Sequence, residues 1–306
     1  MISTYDEGRR RLSAAVGSGR LSHAVLLTGD FYVCEMLVRY AAARIFGKNE
    51  AETDSIADFH HVDGKNLRVA NAEELLDELN VTPSGGVRVI EFSHAGQISV
   101  IIQNMLLKTI EEPPPGNHFF FYGDESGLLP TIRSRCAILN IGQLSVDEIA
   151  LILQREGCFE ADAVYYAALG GDAQTAVRMY KDEEYRAYCL SCCEYICGLG
   201  KADMFSQSEK NCAQGEPLRC ADIFDLALSD MRRVKLGMKQ KFFTRSPHNM
   251  QVKECADRLS EKQINSLFVL TEQMHVSLNS NSPAAQVFDT FAAGAEKVIG
   301  YGRNKH

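Results

Sequence analysis

The stretch from Gln103 to Cys136, QNMLLKTIEEPPPGNHFFFYGDESGLLPTIRSRC, restricts the fold more than any other part of the chain. Residues 100–110, VIIQNMLLKTI, carry apolar side chains at helical spacing: Ile101, Met105 and Lys108 or Thr109 share one face, with Ile102, Leu106 and Ile110 beside it. Three prolines at 113–115 stop that helix, because proline has no amide proton to donate and clashes with the preceding turn. HFFFYG follows, a run too short for a confident helix and the right length for a strand buried on both faces. A helix, a proline stop and a buried strand in succession predict an α/β unit.

With 306 residues, 45% of them apolar, the chain can bury a large core and is expected to divide into two or three domains, since single cores stop growing near about 250–300 residues. The N-terminus has no apolar run of signal-peptide length, and nowhere do about eighteen apolar residues follow one another, so the expectation is a soluble, cytoplasmic chain with no membrane partner. The formal charge of −8 argues against a nucleic-acid coat but leaves room for a local basic face. Ten cysteines lie mostly in helix-like sequence, which suits buried reduced thiols better than a disulfide framework.

Taken in order, residues 5–19 read as a surface helix in which Arg9, Arg10 and Arg11 form a solvated face rather than a phosphate site. An apolar strand from Ala24 to Thr28 then ends at Gly29 and Asp30, ahead of the helix FYVCEMLVRYAAARIFG. Strand, glycine turn and helix are the setting in which a nucleotide phosphate sits. The required chemistry is missing: aligned from Gly29 the sequence reads GDFYVCEM, with Tyr32 and Cys34 in the places of glycines, Glu35 in that of the phosphate-binding lysine and Met36 in that of the magnesium-binding hydroxyl. A carboxylate there repels phosphate and aromatic bulk fills the cradle, so ATP binding in the usual pose is expected to be lost while the loop geometry persists. Residues 50–85 read as polar, with one helical segment, AEELLDELNV; His60 and His61 stand adjacent with no neighbouring cysteines to complete a tetrahedral zinc set. The strand VRVIEF runs into Ser93 and His94, where a P-loop ATPase carries the acidic pair that holds magnesium and orients water. His94 reads as structural rather than as a base.

At QNMLLKTIEEPP and LLPTIRSRC the chain resembles the clamp-loader family of bacterial DNA polymerase III, in particular delta-prime subunits, relatives of the ATP-hydrolysing gamma/tau subunits. The family's usual run, approximately NALLKxLEEPP, stands here at Asn104 to Pro114, and its SRC motif is Ser134, Arg135 and Cys136 behind Leu128 to Arg133. Residues 20–178 carry the resemblance best. It implies an AAA+-like α/β P-loop-type domain over 1–142, a small helical lid over 143–186 and an all-α collar over 187–306. The four-cysteine zinc module frequent in the family has no counterpart at residues 47–64, and no metal is expected. Gln174, in ALGGDAQTAVRMY, occupies the place of a nucleotide-sensing arginine.

The same resemblance assigns Arg135 a role in trans, as an arginine finger reaching ATP and magnesium bound by a neighbouring subunit, with Ser134 and Cys136 shaping its turn and Arg133 the residue most easily confused with it. The alternative for Arg135 is an arginine in an ion pair within its own domain. From residue 187 onward the sequence reads as helices; Cys189, Cys192, Cys193 and Cys197 form one sulfur-rich apolar face, read as core packing, NSNSP announces a helix start before Ala284, and residues 201–217 read as a mobile connection. The expected function is that of a non-hydrolysing delta-prime-type subunit, binding no cofactor itself, with gamma/tau-type and delta-type subunits, the sliding clamp and primed DNA as partners. A self-contained nucleotide-dependent ATPase with an unconventional pocket, or an autonomous DNA-binding module, are the alternatives.

Overall fold

The computed structural model describes residues 3–199, 212, 215–243, 248–280 and 282–300. The chain separates into two compact units, Met1–Glu148 and Ile149–His306. In the first, helix α1 (Ser3–Gly17) precedes β1 (Ala24–Gly29), α2 (Phe31–Phe46), β2 (Phe59–Asp63), α3 (Val69–Leu79), β3 (Arg88–Ser93), α4 (Val100–Glu111), β4 (Asn117–Tyr122), the short α5 (Pro130–Arg133) and β5 (Ala137–Gly142). All strand pairings are parallel and the order is β2-β3-β4-β1-β5. Parallel neighbours require crossovers, and helices supply them.

β4 occupies the middle of the sheet, so both of its faces are covered. Successive strand side chains point to opposite faces. Phe119 and Phe121 therefore join Leu26, Ile90, Phe92, Ile102, Leu106 and Ile110 in one apolar core with residues of α3 and α4. Tyr122 takes the other face, where the Phe31 ring of α2 lies 5.0 Å from its own. Phe119, Phe120 and Phe121 are fully buried, each worth about 1.5–3 kcal/mol relative to exposure. α4 ends at Glu111, directly before the prolines, as the sequence predicts.

No strand is read from the sequence between residues 50 and 85, yet β2 lies there. FHHVD has no apolar run because at the sheet edge Phe59 is its only fully buried residue. Its histidines meet carboxylates instead: His61 Nδ1 lies 2.7 Å from Glu91 Oε1, and His60 Nε2 lies 3.4 Å from Glu78.

The second unit contains no strand among the described residues. It is entered along α6 (Val146–Arg155) and continues through α7 (Glu160–Gly170), α8 (Ala173–Lys181), α9 (Glu183–Gly198), α10 (Pro217–Lys235), α11 (Asn249–Arg258), α12 (Glu261–Asn279) and α13 (Ala284–Ile299). One apolar core takes in Tyr165, Met179, Cys189, Phe224, Leu267 and Phe288, so α7 to α10, α12 and α13 all contribute to it. The boundary expected after residue 186 falls inside α9. The fully buried Asp230 fastens the chain after α10: its carboxylate accepts from the amides of Lys241, Phe242 and Phe243 at 2.6, 2.9 and 2.8 Å. α13 starts at Ala284 as expected. Most of the connection expected over 201–217 lies outside the described residues. Among the described residues no helix is long and apolar enough to cross a membrane.

Candidate functional site

At the end of β1 the backbone leaves no phosphate loop. The strand runs to Gly29 and α2 starts at Phe31, so Asp30 is the whole connection. This corrects the expectation that the loop geometry persists: residues 31–36, aligned above with the loop's later positions, are helical. Gly29 has φ 126, and a Cβ there would meet the Gly142 carbonyl oxygen at 2.4 Å, so β5 closes on this turn where a phosphate cradle would need room. Asp30 Oδ1 accepts from the Val33 amide at 3.1 Å, so the helix start is already capped by a carboxylate of the chain. Cys34 is fully buried, and burial with Asp30 nearby pushes its thiol up to about 12. Glu35 is raised from the usual carboxylate range by burial, against the pull of Arg39, which sits 3.6 Å away. Tyr32 and Met36 are partly buried on the same helix.

The aromatic bulk at this point comes from a residue that spacing does not single out. Phe31 stacks on the His94 ring at 4.6 Å and 29°. His94 follows β3 in the left-handed region, φ 47, the one non-glycine residue there among the described residues. Its Nδ1 lies 2.9 Å from Asp63 Oδ1, at the end of β2. Ser93 and His94 thus carry no carboxylate of their own, while Asp63 brings one from the strand beside them. Local pattern does not single out Asp63, because the edge strand that carries it has no apolar run. Glu91, inside β3, is buried and holds His61, with the Tyr122 hydroxyl donating to it at 3.4 Å.

The two motifs that carried the resemblance meet in space. Arg135, just past α5, sets its guanidinium 3.0 Å from Glu111 Oε2 at the end of α4 and donates to the Thr131 carbonyl at 3.0 Å. Its side chain is 33% exposed and that of Glu111 58%, so this pair sits at the surface. Arg133 pairs with Glu125 at 3.0 Å. Ser134 is exposed, and burial raises the Cys136 thiol to about 11. Beneath this turn Gln103, fully buried, donates to the Ile98 and Gly127 carbonyls at 2.8 and 2.9 Å and accepts from the Leu129 amide at 2.7 Å. It ties α4 to the segment that delivers Arg135. Gly96 and Gly127 interlock there, since a Cβ on Gly96 would meet the Asp124 carbonyl oxygen at 1.9 Å and one on Gly127 that of Gly96 at 1.9 Å. The loop after β3 and the loop before α5 are therefore in direct backbone contact.

In the second unit Gln174 is exposed in the first turn of α8, whose N-cap is Asp172. Cys189, Cys192, Cys193 and Cys197 are all buried in the apolar core, on the face their spacing predicts. Among the described residues, Cys192 lies in a set of three sulfurs within 4.8 Å of one another, with those of Cys212 and Cys220.

A family model described as DNA polymerase III, delta subunit matches residues 6–145. The chain is similar to DNA polymerase III subunit delta' of Escherichia coli, 26% identical over 219 residues, which are 64% of this chain and 66% of that protein. It is similar also to subunit delta' of Haemophilus influenzae, 30% identical over 29% of each chain, and to subunit gamma of Buchnera aphidicola subsp. Schizaphis graminum, 28% identical over 46% of this chain and 44% of that one. The chain thus spans at most about two thirds of the length of these relatives. Among solved structures, a gamma subunit-related protein of Thermotoga maritima superposes with a TM-score of 0.48 at 15% identity, covering 95% of this chain and 99% of the other. The match over residues 6–145 takes in the parallel sheet and both the Asn104–Pro114 and Ser134–Cys136 runs, so it is over this first unit that the chain is similar to the delta family of DNA polymerase III.

Proposed function

We propose that the chain is a non-hydrolysing delta-prime-type subunit of a DNA polymerase III clamp loader, working in the cytoplasm. In this reading it assists the ATP-dependent loading of a sliding clamp onto primed DNA and presents Arg135 to ATP and magnesium held by a neighbouring gamma/tau-type subunit. A delta-type subunit completes the assembly. Residues 143–186 serve as a lid remnant and 187–306 as the collar that joins subunits.

The observation that carries the proposal is the contrast between two ends of one domain. At the β1–α2 junction the amides are capped by Asp30, the room is taken by Phe31 and Gly142, and Glu35 stands where a lysine is needed. At the other end a planar cation sits at the surface, secured by one exposed carboxylate and the Thr131 carbonyl. A guanidinium so placed can exchange Glu111 for a γ-phosphate on a partner, a doubly hydrogen-bonded geometry for which arginine is suited. Release costs little, because exposed pairs contribute about 0.2–1 kcal/mol.

Reconstitution with gamma/tau-type and delta-type subunits, clamp and primed DNA tests the reading. The expected result is that loading requires this chain, and that the purified chain alone shows no heat of binding with magnesium ATP. Stoichiometric tight ATP binding by the isolated chain would instead support a self-contained ATPase. Salt-dependent binding of primed DNA by the isolated chain would support a DNA-binding module.

A further inference from the structure

We propose that Cys192, Cys212 and Cys220 form a binding site for one soft d10 cation, copper(I) or a zinc-group divalent ion, inside the helical second unit. The three sulfur atoms lie within 4.8 Å of one another, and all three residues are buried. Cys192 Sγ and Cys212 Sγ are 3.7 Å apart. A cation with metal–sulfur bonds of about 2.3 Å holds its thiolates roughly 3.8–4.0 Å from each other in tetrahedral or trigonal geometry, so the trio needs little movement to close on one ion. Thiolate sulfur selects such ions over harder ones.

The surroundings distinguish this trio from the other buried cysteines. Cys189, Cys193 and Cys197 lie on the same helix as Cys192 but belong to no such set among the described residues. Cys220 stands in the first turns of α10, where the helix dipole favours a thiolate, and Arg219 precedes it with a guanidinium that is itself buried. Tyr188 borders the set, donating to the Glu216 carbonyl at 2.7 Å. Gly215 packs so tightly on the Tyr188 ring that a Cβ would approach it to 2.0 Å. An ion here would join Cys192 of α9, Cys212 and Cys220 of α10, residues up to 28 apart in sequence (220 − 192).

Ordinary thiols are mostly protonated at neutral pH; burial raises the Cys220 thiol further, and contact with Cys212 chiefly raises that of Cys192. Loading must therefore expel protons: three S–H bonds break, three S–metal bonds form, and about three protons per ion enter solvent, with no change of oxidation state.

The test uses the full chain, reduced and handled without oxygen, titrated separately with cadmium(II), as the optical probe for divalent ions, and with copper(I). The expected result is one ion per chain for at least one of them, seen as sulfur-to-metal charge-transfer absorbance, with affinity falling as pH falls and with a rise in Tm. Cys212→Ala and Cys220→Ala are expected to abolish the signal, whereas Cys158→Ala and Cys197→Ala retain it. Circular dichroism of each variant separates lost binding from lost fold, and Cys220→Asp, which keeps a metal ligand, weakens binding without abolishing it. Stoichiometric binding by cadmium alone assigns a divalent ion, and by copper alone a monovalent one. No binding by the native chain, binding undiminished in a folded Cys212→Ala chain, or recovery of a Cys192–Cys212 disulfide in place of the loaded ion would overturn the proposal.

Discussion

Replacing Arg135 by alanine separates the two roles its geometry permits. Within the chain, the substitution removes the 3.0 Å pair with Glu111 and the bond to the Thr131 carbonyl. Both partners remain in contact with water, so the loss is on the order of 0.2–1 kcal/mol, and Tm should fall by no more than about 2–4 °C. In a reconstituted complex the same change removes a charge that arrives only at the neighbour's phosphates. Arginine fingers contribute about 10³–10⁵ in rate, which is roughly 4–7 kcal/mol of transition-state stabilisation. Steady-state turnover of a complex with several ATP sites falls only by the share of the site facing this chain, so the assay must resolve that site. Single-turnover hydrolysis with labelled ATP does so, as a lost kinetic phase. Arg135→Lys should restore little, because an ammonium lacks the planar fork, and Glu111→Gln should leave hydrolysis intact or raise it by freeing the guanidinium. Unchanged single-turnover kinetics with Arg135→Ala in an assembled complex would refute the finger and leave Arg135 as an arginine paired within its own domain. An equal loss with Arg133→Ala would show that the turn as a whole, not this side chain, matters.

Gln103→Leu should uncouple α4 from the 124–129 loop while leaving volume nearly unchanged; it strands the Gly127 and Ile98 carbonyls and the Leu129 amide at about 1–3 kcal/mol for each buried group left unsatisfied, and faster hydrogen exchange at residues 124–135 is the readout. Gly29→Ala forces a side chain into φ 126 and against the Gly142 oxygen, so urea denaturation should show at least about 1–3 kcal/mol of destabilisation. His61 has its pKa raised, chiefly by the bond to Glu91, over the opposing effect of burial. A raised folded pKa means that its contribution is complete below the unfolded value, near 6.5, and is lost as pH rises through the folded one. The gap in urea midpoint between the native chain and His61→Ala should therefore shrink as pH is raised from about 5.5 to 8.5. Asp230→Ala leaves three amides without their acceptor and should cost about 2–5 kcal/mol in thermal or urea unfolding, with the asparagine variant intermediate.

Local sequence determined what local physics controls. Apolar spacing and the proline stop were enough to define α4, β4 and the helical second half, because those features depend on which face of one element is buried. The side chains at Cys34, Glu35 and Ser93 can be read for charge and bulk in the same local way, at a fixed offset from a strand. Tertiary structure decided the rest. β2 exists because Glu91 and Phe59's neighbours make a polar pentapeptide worth pairing at a sheet edge, a bargain that no period-two pattern announces. Asp63 reaches His94 only once that strand is in place. Glu111 and Arg135, 24 residues apart, become partners because α5 packs against α4 once the intervening strand is in the sheet, and Gln103 acquires its latch in the same way. Cys192, Cys212 and Cys220 follow no metal-ligand spacing; the packing of α9 and α10 brings Cys192 and Cys220 together, and Cys212 joins them from between the two helices in sequence. Periodicity reports which residues turn inward; which of them meet depends on long-range closure of the chain, and that is written in the core as a whole.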